Sequence, residues 1–186
     1  MDEIKITECP RDAMQGIKKW IPTQDKIGYL QNLLKVGFDT LDCGSFVSSK
    51  VIPQLKDTGE VIRGLDLTST KTKLLVIIAN LRGAEIACNY DQINYLGFPF
   101  SISENFQIRN VNKTIKESVK EVQSIAEMVD NSNKELVVYL SMGFGNPYGD
   151  PWSPSIVSFW CEKLSDLGVK KISLSDTVGA AKKEDI

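Results

Sequence analysis

The sequence predicts an α/β protein with a parallel sheet, built from repeated strand–helix units. Short apolar or β-branched runs alternate with helical patterns along the chain, an order typical of parallel α/β proteins. The predicted strands begin about 33 residues apart, whereas a complete barrel of eight β/α units has about 250 residues. The 186 residues therefore hold between five and six such units.

Two folds fit this arithmetic: the first six units of a TIM (β/α)8 barrel, and a complete open doubly wound parallel sheet. Length alone favours the open sheet. Residues 182–186, however, resemble the first turn of a further helix, which favours an incomplete barrel. We predict a single, incomplete TIM-barrel domain over residues 1–186, with the open doubly wound sheet as the alternative.

The strands are predicted from short apolar runs that stop at Pro or Gly. The third run is the clearest, because a continuous apolar stretch is what a parallel strand covered on both faces requires. The strands are predicted at residues 4–9, 38–43, 74–80, 93–101, 135–141 and 171–176.

Helices are predicted between the strands, with recognisable signals at their ends. Thr23 is the expected N-cap of the first and Gly37 its C′ residue, Thr114 and Glu117 fit a capping box, and Gly168 is the C′ residue of the last. The Gly/Pro-rich stretch 143–150 lacks the spacing of a phosphate-binding loop and is predicted to be a turn-rich connection. The helices are predicted from Thr23 towards Gly37, around 60–65, and at 82–89, 114–130 and 154–167.

Composition excludes several classes of protein. Twenty-two basic against 24 acidic residues give a net charge of −2, which argues against a nucleic-acid-binding or membrane-surface protein. No run of about 18 apolar residues and no signal peptide is present, and the four cysteines lack CxxC spacing, so we expect reduced thiols in the cytoplasm. The chain has no histidine, so its chemistry must rest on other side chains or on a metal held by oxygen.

Polar residues follow most of the predicted strands. Each of them alone also fits a cap or turn former, but the carboxyl ends of parallel strands meet at one edge of the sheet. Three carboxylates gathered there would repel each other unless they shared a cation, and oxygen ligands suit Mg²⁺ or Mn²⁺. These strand-end residues are Arg11, Asp12, Asp42, Asn80, Ser141, Asp176 and Thr177.

Six motifs give the chain a collinear resemblance to a known family. The chain resembles the 3-hydroxy-3-methylglutaryl-CoA lyases, metal-dependent TIM-barrel enzymes related to the isopropylmalate and homocitrate synthases. The segment that selects the lyases over the synthases is SFVSSKVIPQ. The motifs are ECPRDAMQ (8–15), SFVSSKVIPQ (45–54), NLRG (80–83), SENF (103–106), NPYG (146–149) and SLSDTVG (173–179).

The resemblance implies a reaction and a set of roles. The reaction is the divalent-metal-dependent retro-Claisen cleavage of 3-hydroxy-3-methylglutaryl-CoA to acetyl-CoA and acetoacetate, a step of leucine degradation. Asp12 is implied as the metal ligand, Arg11 as the group that stabilises the enolate oxygen, and Asp176 as the proton acceptor. Asp42, implied as a further catalytic residue, stands where most members have Glu. The implied substrate-binding residues are Gln15, Ser45, Asn80, Ser141 and Thr177.

The resemblance also leaves expectations open. The family's His-x-His metal pair, its general-acid cysteine and a metal-binding asparagine would lie after Ile186, so we expect the isolated chain to be inactive. The small-molecule partner is an acyl-CoA, and strands one and six would be open edges that a second copy of the chain can cover, which leaves a homo-oligomer open. Two other functions remain: a related acyl-CoA aldolase or synthase, and a non-catalytic α/β domain that binds a small anion.

Overall fold

The computed structural model describes residues 4–185, and strands and helices alternate through them. The strands are β1 (Thr7–Glu8), β2 (Thr40–Ser45), β3 (Lys73–Ile77), β4 (Ile93–Ser101), β5 (Glu135–Ser141) and β6 (Lys171–Leu174). The α-helices are α1 (Pro10–Gln15), α2 (Thr23–Leu34), α3 (Thr58–Arg63), α4 (Leu81–Cys88), α5 (Glu104–Val111), α6 (Ile115–Asp130) and α7 (Pro154–Asp166).

The strands form one six-stranded sheet in which neighbours follow chain order, from β1 to β6. Strand β2 runs parallel to both β1 and β3, and β5 runs parallel to β6. A doubly wound sheet requires a reversal of strand order at a switch point, and this sheet has none. The fold is therefore that of six successive β/α units of a TIM barrel, and the doubly wound alternative is wrong.

The chain divides into two compact units. The first comprises the residues up to Ile78 together with Arg82–Leu96. Its interior is formed by apolar side chains of β2 and β3 and by the inner faces of α2 and α3. Fully buried members of this core are Leu30, Leu41, Ile62, Leu74 and Val76.

The second unit comprises Ala79–Leu81 together with the residues from Gly97 onward. Helix α6 begins with the predicted capping box, since the Thr114 side chain accepts from the Glu117 N–H and the Glu117 side chain accepts from the Thr114 N–H. Its apolar stripe packs inward, as the helical spacing predicts. Fully buried members of this unit's core are Phe98, Phe100, Val122, Ile125 and Leu140.

Several element ends differ from the sequence predictions. Helices α1 and α5 were not predicted, and β1 is limited to two residues. Pro22 rather than Thr23 is the N-cap of α2, because the Thr23 hydroxyl instead donates to Asp57 Oδ2 at 2.8 Å. Gly168 has a φ of 89° directly after the α7 C-cap, as predicted.

Within residues 4–185, no helix combines the length and the apolar character needed to cross a bilayer.

Candidate active site

The candidate residues fall into two groups, one in each unit. Arg11, Asp12, Gln15, Asp42 and Ser45 belong to the first unit. Asn80, Ser141, Asp176 and Thr177 belong to the second.

Helix α1 carries three of the first group and begins immediately after β1. Pro10 occupies its first turn, where a missing N–H and a fixed φ are favourable. Its N-cap, Cys9, makes no side-chain cap hydrogen bond. Only Pro10 and Met14 of the helix are buried, so the polar residues of α1 lie on its open side.

Arg11 of α1 forms a forked ion pair with Asp42 of β2. The Arg11 Nε lies 3.2 and 3.1 Å from the two carboxylate oxygens of Asp42, and Nη2 lies 2.6 Å from Oδ2. The Asp42 side chain is 1% exposed and that of Arg11 13%. Burial raises the pKa of the Asp42 carboxyl, and the hydrogen bonds from Arg11 oppose this shift. Because a guanidinium keeps its charge, this pair fixes the orientation of Arg11.

The remaining Arg11 nitrogen faces the exposed end of the cluster. Nη1 donates to Asp12 Oδ1 and to Gln15 Oε1, both at 2.9 Å, and Gln15 Nε2 lies 3.3 Å from the same Asp12 oxygen. The Asp12 side chain is 64% exposed. The structure therefore brings together four predicted residues, with Asp12 at the surface and Asp42 beneath it.

The charges of this cluster bear on the expected metal. One guanidinium faces two carboxylates, which leaves a net charge of about −1. The exposed carboxylate oxygens of Asp12 suit a hard cation such as Mg²⁺ or Mn²⁺, so Asp12 fits the role of one ligand. Asp42 is less accessible to a cation, because its side chain is only 1% exposed and Arg11 binds both of its oxygens. In the part of the chain that the structure describes, no three Cys, His, Asp or Glu side chains gather closely enough to enclose a metal.

The end of β2 is shaped by a bulge and by local hydrogen bonds. The pairing of β2 with β3 shifts register between Asp42 and Gly44. Ser45 is buried; its N–H donates to Thr58 Oγ1 at 3.1 Å, and its hydroxyl accepts from the Val47 N–H at 3.1 Å. Ser45, predicted to bind substrate, here shapes the loop that follows Asp42.

In the second unit, Thr177 closes the end of β5. Its Oγ1 accepts from the N–H of Met142 at 2.8 Å. Met142 is fully buried and has a φ of 61°, a conformation that non-glycine residues seldom adopt. Thr177 thus stabilises an unusual backbone turn directly after Ser141, the last residue of β5.

Asp176 lies two residues beyond β6 and is exposed. One of its carboxylate oxygens accepts from Ala180 N–H at 2.7 Å and the other from Ala181 N–H at 3.1 Å. These bonds fix the direction of the carboxylate. Asn80 is exposed between β3 and α4.

Sequence reasoning missed the partners that hold the loop after β5 in the second unit. Asp150 accepts hydrogen bonds from the Ser103 hydroxyl and from the N–H and Nδ2 of Asn105. These bonds lower the pKa of the Asp150 carboxyl. Residues 103–106 and 146–149 both belong to motifs of the resemblance, and the structure brings the two segments together at Asp150.

The chain is similar to known proteins along nearly all of its length. The family described as HMGL-like matches residues 4–186. The hydroxymethylglutaryl-CoA lyase YngG of Bacillus subtilis is 34% identical over 172 residues, which are 92% of this chain and 57% of that protein. The mitochondrial hydroxymethylglutaryl-CoA lyase of Arabidopsis thaliana is 34% identical over 177 residues, 95% of this chain and 37% of that protein. The chain thus spans between about a third and three fifths of these two relatives.

Solved structures give the same picture. The HMG-CoA lyase of Bacillus subtilis superposes with a TM-score of 0.91 at 31% identity, over 98% of this chain and 61% of that one. An HMG-CoA lyase from Acinetobacter baumannii, in complex with coenzyme A and 3-methylmalate, superposes with a TM-score of 0.87 at 31% identity, over 97% of this chain and 59% of that one.

Proposed function

The chain belongs to the HMGL-like family, and on that premise we propose that it forms part of a 3-hydroxy-3-methylglutaryl-CoA lyase. The reaction cleaves a carbon–carbon bond of the acyl-CoA and releases acetyl-CoA and acetoacetate. The observation that carries the proposal is the forked pair of Arg11 and Asp42, which holds a guanidinium beside an exposed Asp12.

The cleavage makes three chemical demands. The tertiary hydroxyl of the substrate loses its proton, and the electrons of the breaking carbon–carbon bond pass to the thioester. The resulting enolate carries negative charge on its oxygen until its carbon takes up a proton, which gives the methyl group of acetyl-CoA. The atoms balance, because one proton leaves the hydroxyl and one arrives at carbon.

Arg11 suits the third demand, which is to stabilise the negative charge on the enolate oxygen. Its charge is permanent, and its orientation is set before any substrate arrives, so stabilising the enolate oxygen requires little reorganisation. We assign Asp42 the task of holding Arg11 in this orientation. Because an arginine bound on two sides keeps its direction, a lysine at position 11 would be a poor substitute.

Asp12 is our candidate metal ligand, and Asp176 our candidate proton acceptor. A divalent cation bound at Asp12 would supply a Lewis acid that lowers the pKa of the substrate hydroxyl. The carboxylate of Asp176 is oriented by two backbone N–H groups, which supports a role for it in receiving the proton. Whether the cation is Mg²⁺ or Mn²⁺ is part of the test.

Substrate contacts form a separate part of the proposal. Gln15 has its amide directed at Asp12 and is the candidate best supported by geometry. The hydroxyls of Ser45 and Thr177 each accept a hydrogen bond from a backbone N–H. A contact with substrate would therefore use the hydroxyl hydrogen or the second lone pair of the oxygen. Asn80 and Ser141 stay candidates.

The setting of the protein completes the proposal. The chain has four cysteines without CxxC spacing, which supports reduced thiols and a reducing compartment such as the cytoplasm. The Acinetobacter neighbour was solved with coenzyme A, which supports an acyl-CoA as the small-molecule partner here. We also retain a homo-oligomer as a proposal.

The experiment uses the chain by itself and as part of a chimera. We expect the 186-residue chain, given Mg²⁺ or Mn²⁺ and 3-hydroxy-3-methylglutaryl-CoA, to release no acetoacetate, because it lacks a counterpart to the rest of its relatives. A chimera, in which this chain replaces the matched part of the Bacillus subtilis lyase, should release acetoacetate and acetyl-CoA from the same substrate. Condensation of acetyl-CoA with a 2-oxo acid, without cleavage, would instead favour a synthase.

A further inference from the structure

Gln54 makes an unusual set of hydrogen bonds to the segment that leaves α1. It lies in a short 3-10 helix (Pro53–Leu55) in the connection after β2 and is 4% exposed. Its Nε2 donates to the carbonyl oxygens of Ile17 and Lys19 at 2.8 and 2.9 Å. Its Oε1 accepts from the N–H of Ile21 at 3.1 Å. Both amide hydrogens and the amide oxygen are therefore bonded to one stretch of backbone, 33 to 37 residues away in sequence.

The segment that leaves α1, residues 15–20, buries little surface of its own. Residues 15–20 are all exposed, so burial of apolar surface contributes little to their position. Helix α1 itself has six residues and no side-chain cap, and a helix of that length is not stable without tertiary contacts. Hydrogen bonds from elsewhere in the unit must therefore fix the exit of α1.

Gln54 is itself rigidly placed. Its backbone carbonyl accepts a hydrogen bond from Nζ of Lys26, a side chain that is only 2% exposed. The same Nζ pairs with Asp57 Oδ1 at 2.7 Å and lies 3.9 Å from the ring centroid of Trp20. The buried ammonium thus anchors both the loop of Gln54 and, through Trp20, the segment that Gln54 holds.

We propose that Gln54 is a positioning residue that fixes helix α1, and with it Arg11 and Asp12, relative to the end of β2. Gln54 follows β2, which carries Asp42, and binds the chain just after α1, which carries Arg11. It therefore ties together the two elements whose alignment the forked pair requires. The buried pair of Lys26 and Asp57 serves the same purpose by holding Gln54.

Two cysteines report on this role without any substrate. Cys9 is the exposed N-cap of α1, whereas Cys43 is buried within β2. Burial and the neighbouring Asp42 raise the pKa of the Cys9 thiol in the folded chain, so release of α1 alone should speed its labelling, whereas global unfolding should also expose Cys43. Because the measurement needs no turnover, its result is independent of the proposed lyase activity.

The chain also offers a matched control. Gln31 clamps backbone in the same way, donating from Nε2 to Asp66 O and accepting at Oε1 from Asp66 N–H, both at 2.9 Å. It belongs to α2, in the same unit, and bonds to the loop after α3 rather than to the segment after α1. Q31L therefore tests whether the loss of such a pair of side-chain to backbone hydrogen bonds, away from α1, is enough to change the labelling.

The experiment measures iodoacetamide labelling of Cys9 and Cys43, by peptide mass spectrometry, in wild type, Q54L, Q54E and Q31L. Q54E retains the acceptor for Ile21 and the shape of the side chain, loses both donations to the carbonyl oxygens, and serves as a second variant should Q54L unfold. We expect several-fold faster labelling of Cys9 with Cys43 still protected in the folded Gln54 variants, and no change in Q31L. Wild-type labelling of Cys9 in a folded Gln54 variant would overturn the proposal. So would an equal acceleration at both cysteines in Q54L and Q54E.

Discussion

Arg11 on α1 and Asp42 on β2, 31 residues apart in sequence, form a forked ion pair with contacts of 2.6 to 3.2 Å. The pair joins a short, mostly exposed helix to a fully buried strand. It also turns the third guanidinium nitrogen towards Asp12. The orientation of Arg11 in the candidate site therefore depends on this contact.

Loss of the guanidinium should destabilise the chain strongly. R11M leaves the carboxylate of Asp42 buried without a partner, and we expect the free energy of unfolding to fall by about 3 kcal/mol. R11K keeps a charge but not the fork, so its loss should be smaller. Urea unfolding measures both. K170M removes half of the exposed pair between Lys170 and Asp130 and should cost less than about 1 kcal/mol; an equal cost for R11M would contradict the finding.

Asp12 should affect metal binding but not folding. Because its side chain is largely exposed, D12N should change the free energy of unfolding by no more than about 0.5 kcal/mol. In the chimera with the Bacillus subtilis lyase, the affinity of D12N for Mn²⁺, measured by water-proton relaxation, should fall by about tenfold or more. D25N, an exposed acid in the first turn of α2, is the control. Equal Mn²⁺ affinities of D12N and wild type would exclude Asp12 as a ligand.

The bulge in β2 requires glycine at position 44. A Cβ there would stand 2.5 Å from Cγ2 of Thr58, so G44A should cost about 1–3 kcal/mol through overpacking. T58S removes that methyl group and keeps the hydroxyl that binds Ser45, so G44A should cost less in the T58S background. Unfolding of the four proteins of this cycle gives the coupling energy. If the destabilisation by G44A and that by T58S simply add in the double variant, the proposed clash is wrong. G28A is the control: it lies in α2 with open space around it and should stabilise the chain by up to about 1 kcal/mol.

The loop after β5 should respond to acid through Asp150. Hydrogen bonds from Ser103 and Asn105 lower the pKa of this carboxyl. The ionised carboxylate thus stabilises the fold fully when the pH is above the pKa of Asp in the unfolded chain, about 3.9. This stabilisation is lost as the pH falls through the lower pKa of the folded chain. Thermal melts should show D150N less stable than wild type at pH 7, with the difference shrinking below about pH 4. A difference in melting temperature that stays constant from pH 7 to pH 3 would contradict this role of Asp150. D91N, which changes an exposed acid outside this loop, is the control.

The sequence predicted features that depend on neighbouring residues and missed those that depend on distant ones. The six strands and the capping box of Thr114 and Glu117 are written in local apolar runs and spacings, and the structure confirms them. Helix α1 is too short for periodicity to reveal, and its exit is held by Gln54 from the loop after β2. The ion pair of Arg11 with Asp42 requires the parallel register of β1 and β2, which no local pattern encodes. Strand order, likewise, decided between the barrel and the open sheet only once the sheet was seen.

Acetoacetate release by the chimera with the Bacillus subtilis lyase tests the lyase proposal most directly. Given 3-hydroxy-3-methylglutaryl-CoA and Mg²⁺ or Mn²⁺, the chimera should cleave the carbon–carbon bond and release acetoacetate. Both R11K and D12N should reduce this rate by orders of magnitude while the protein stays folded. The lyase proposal would be contradicted by a folded chimera that releases no acetoacetate with either cation. It would also be contradicted if neither R11K nor D12N changed the rate.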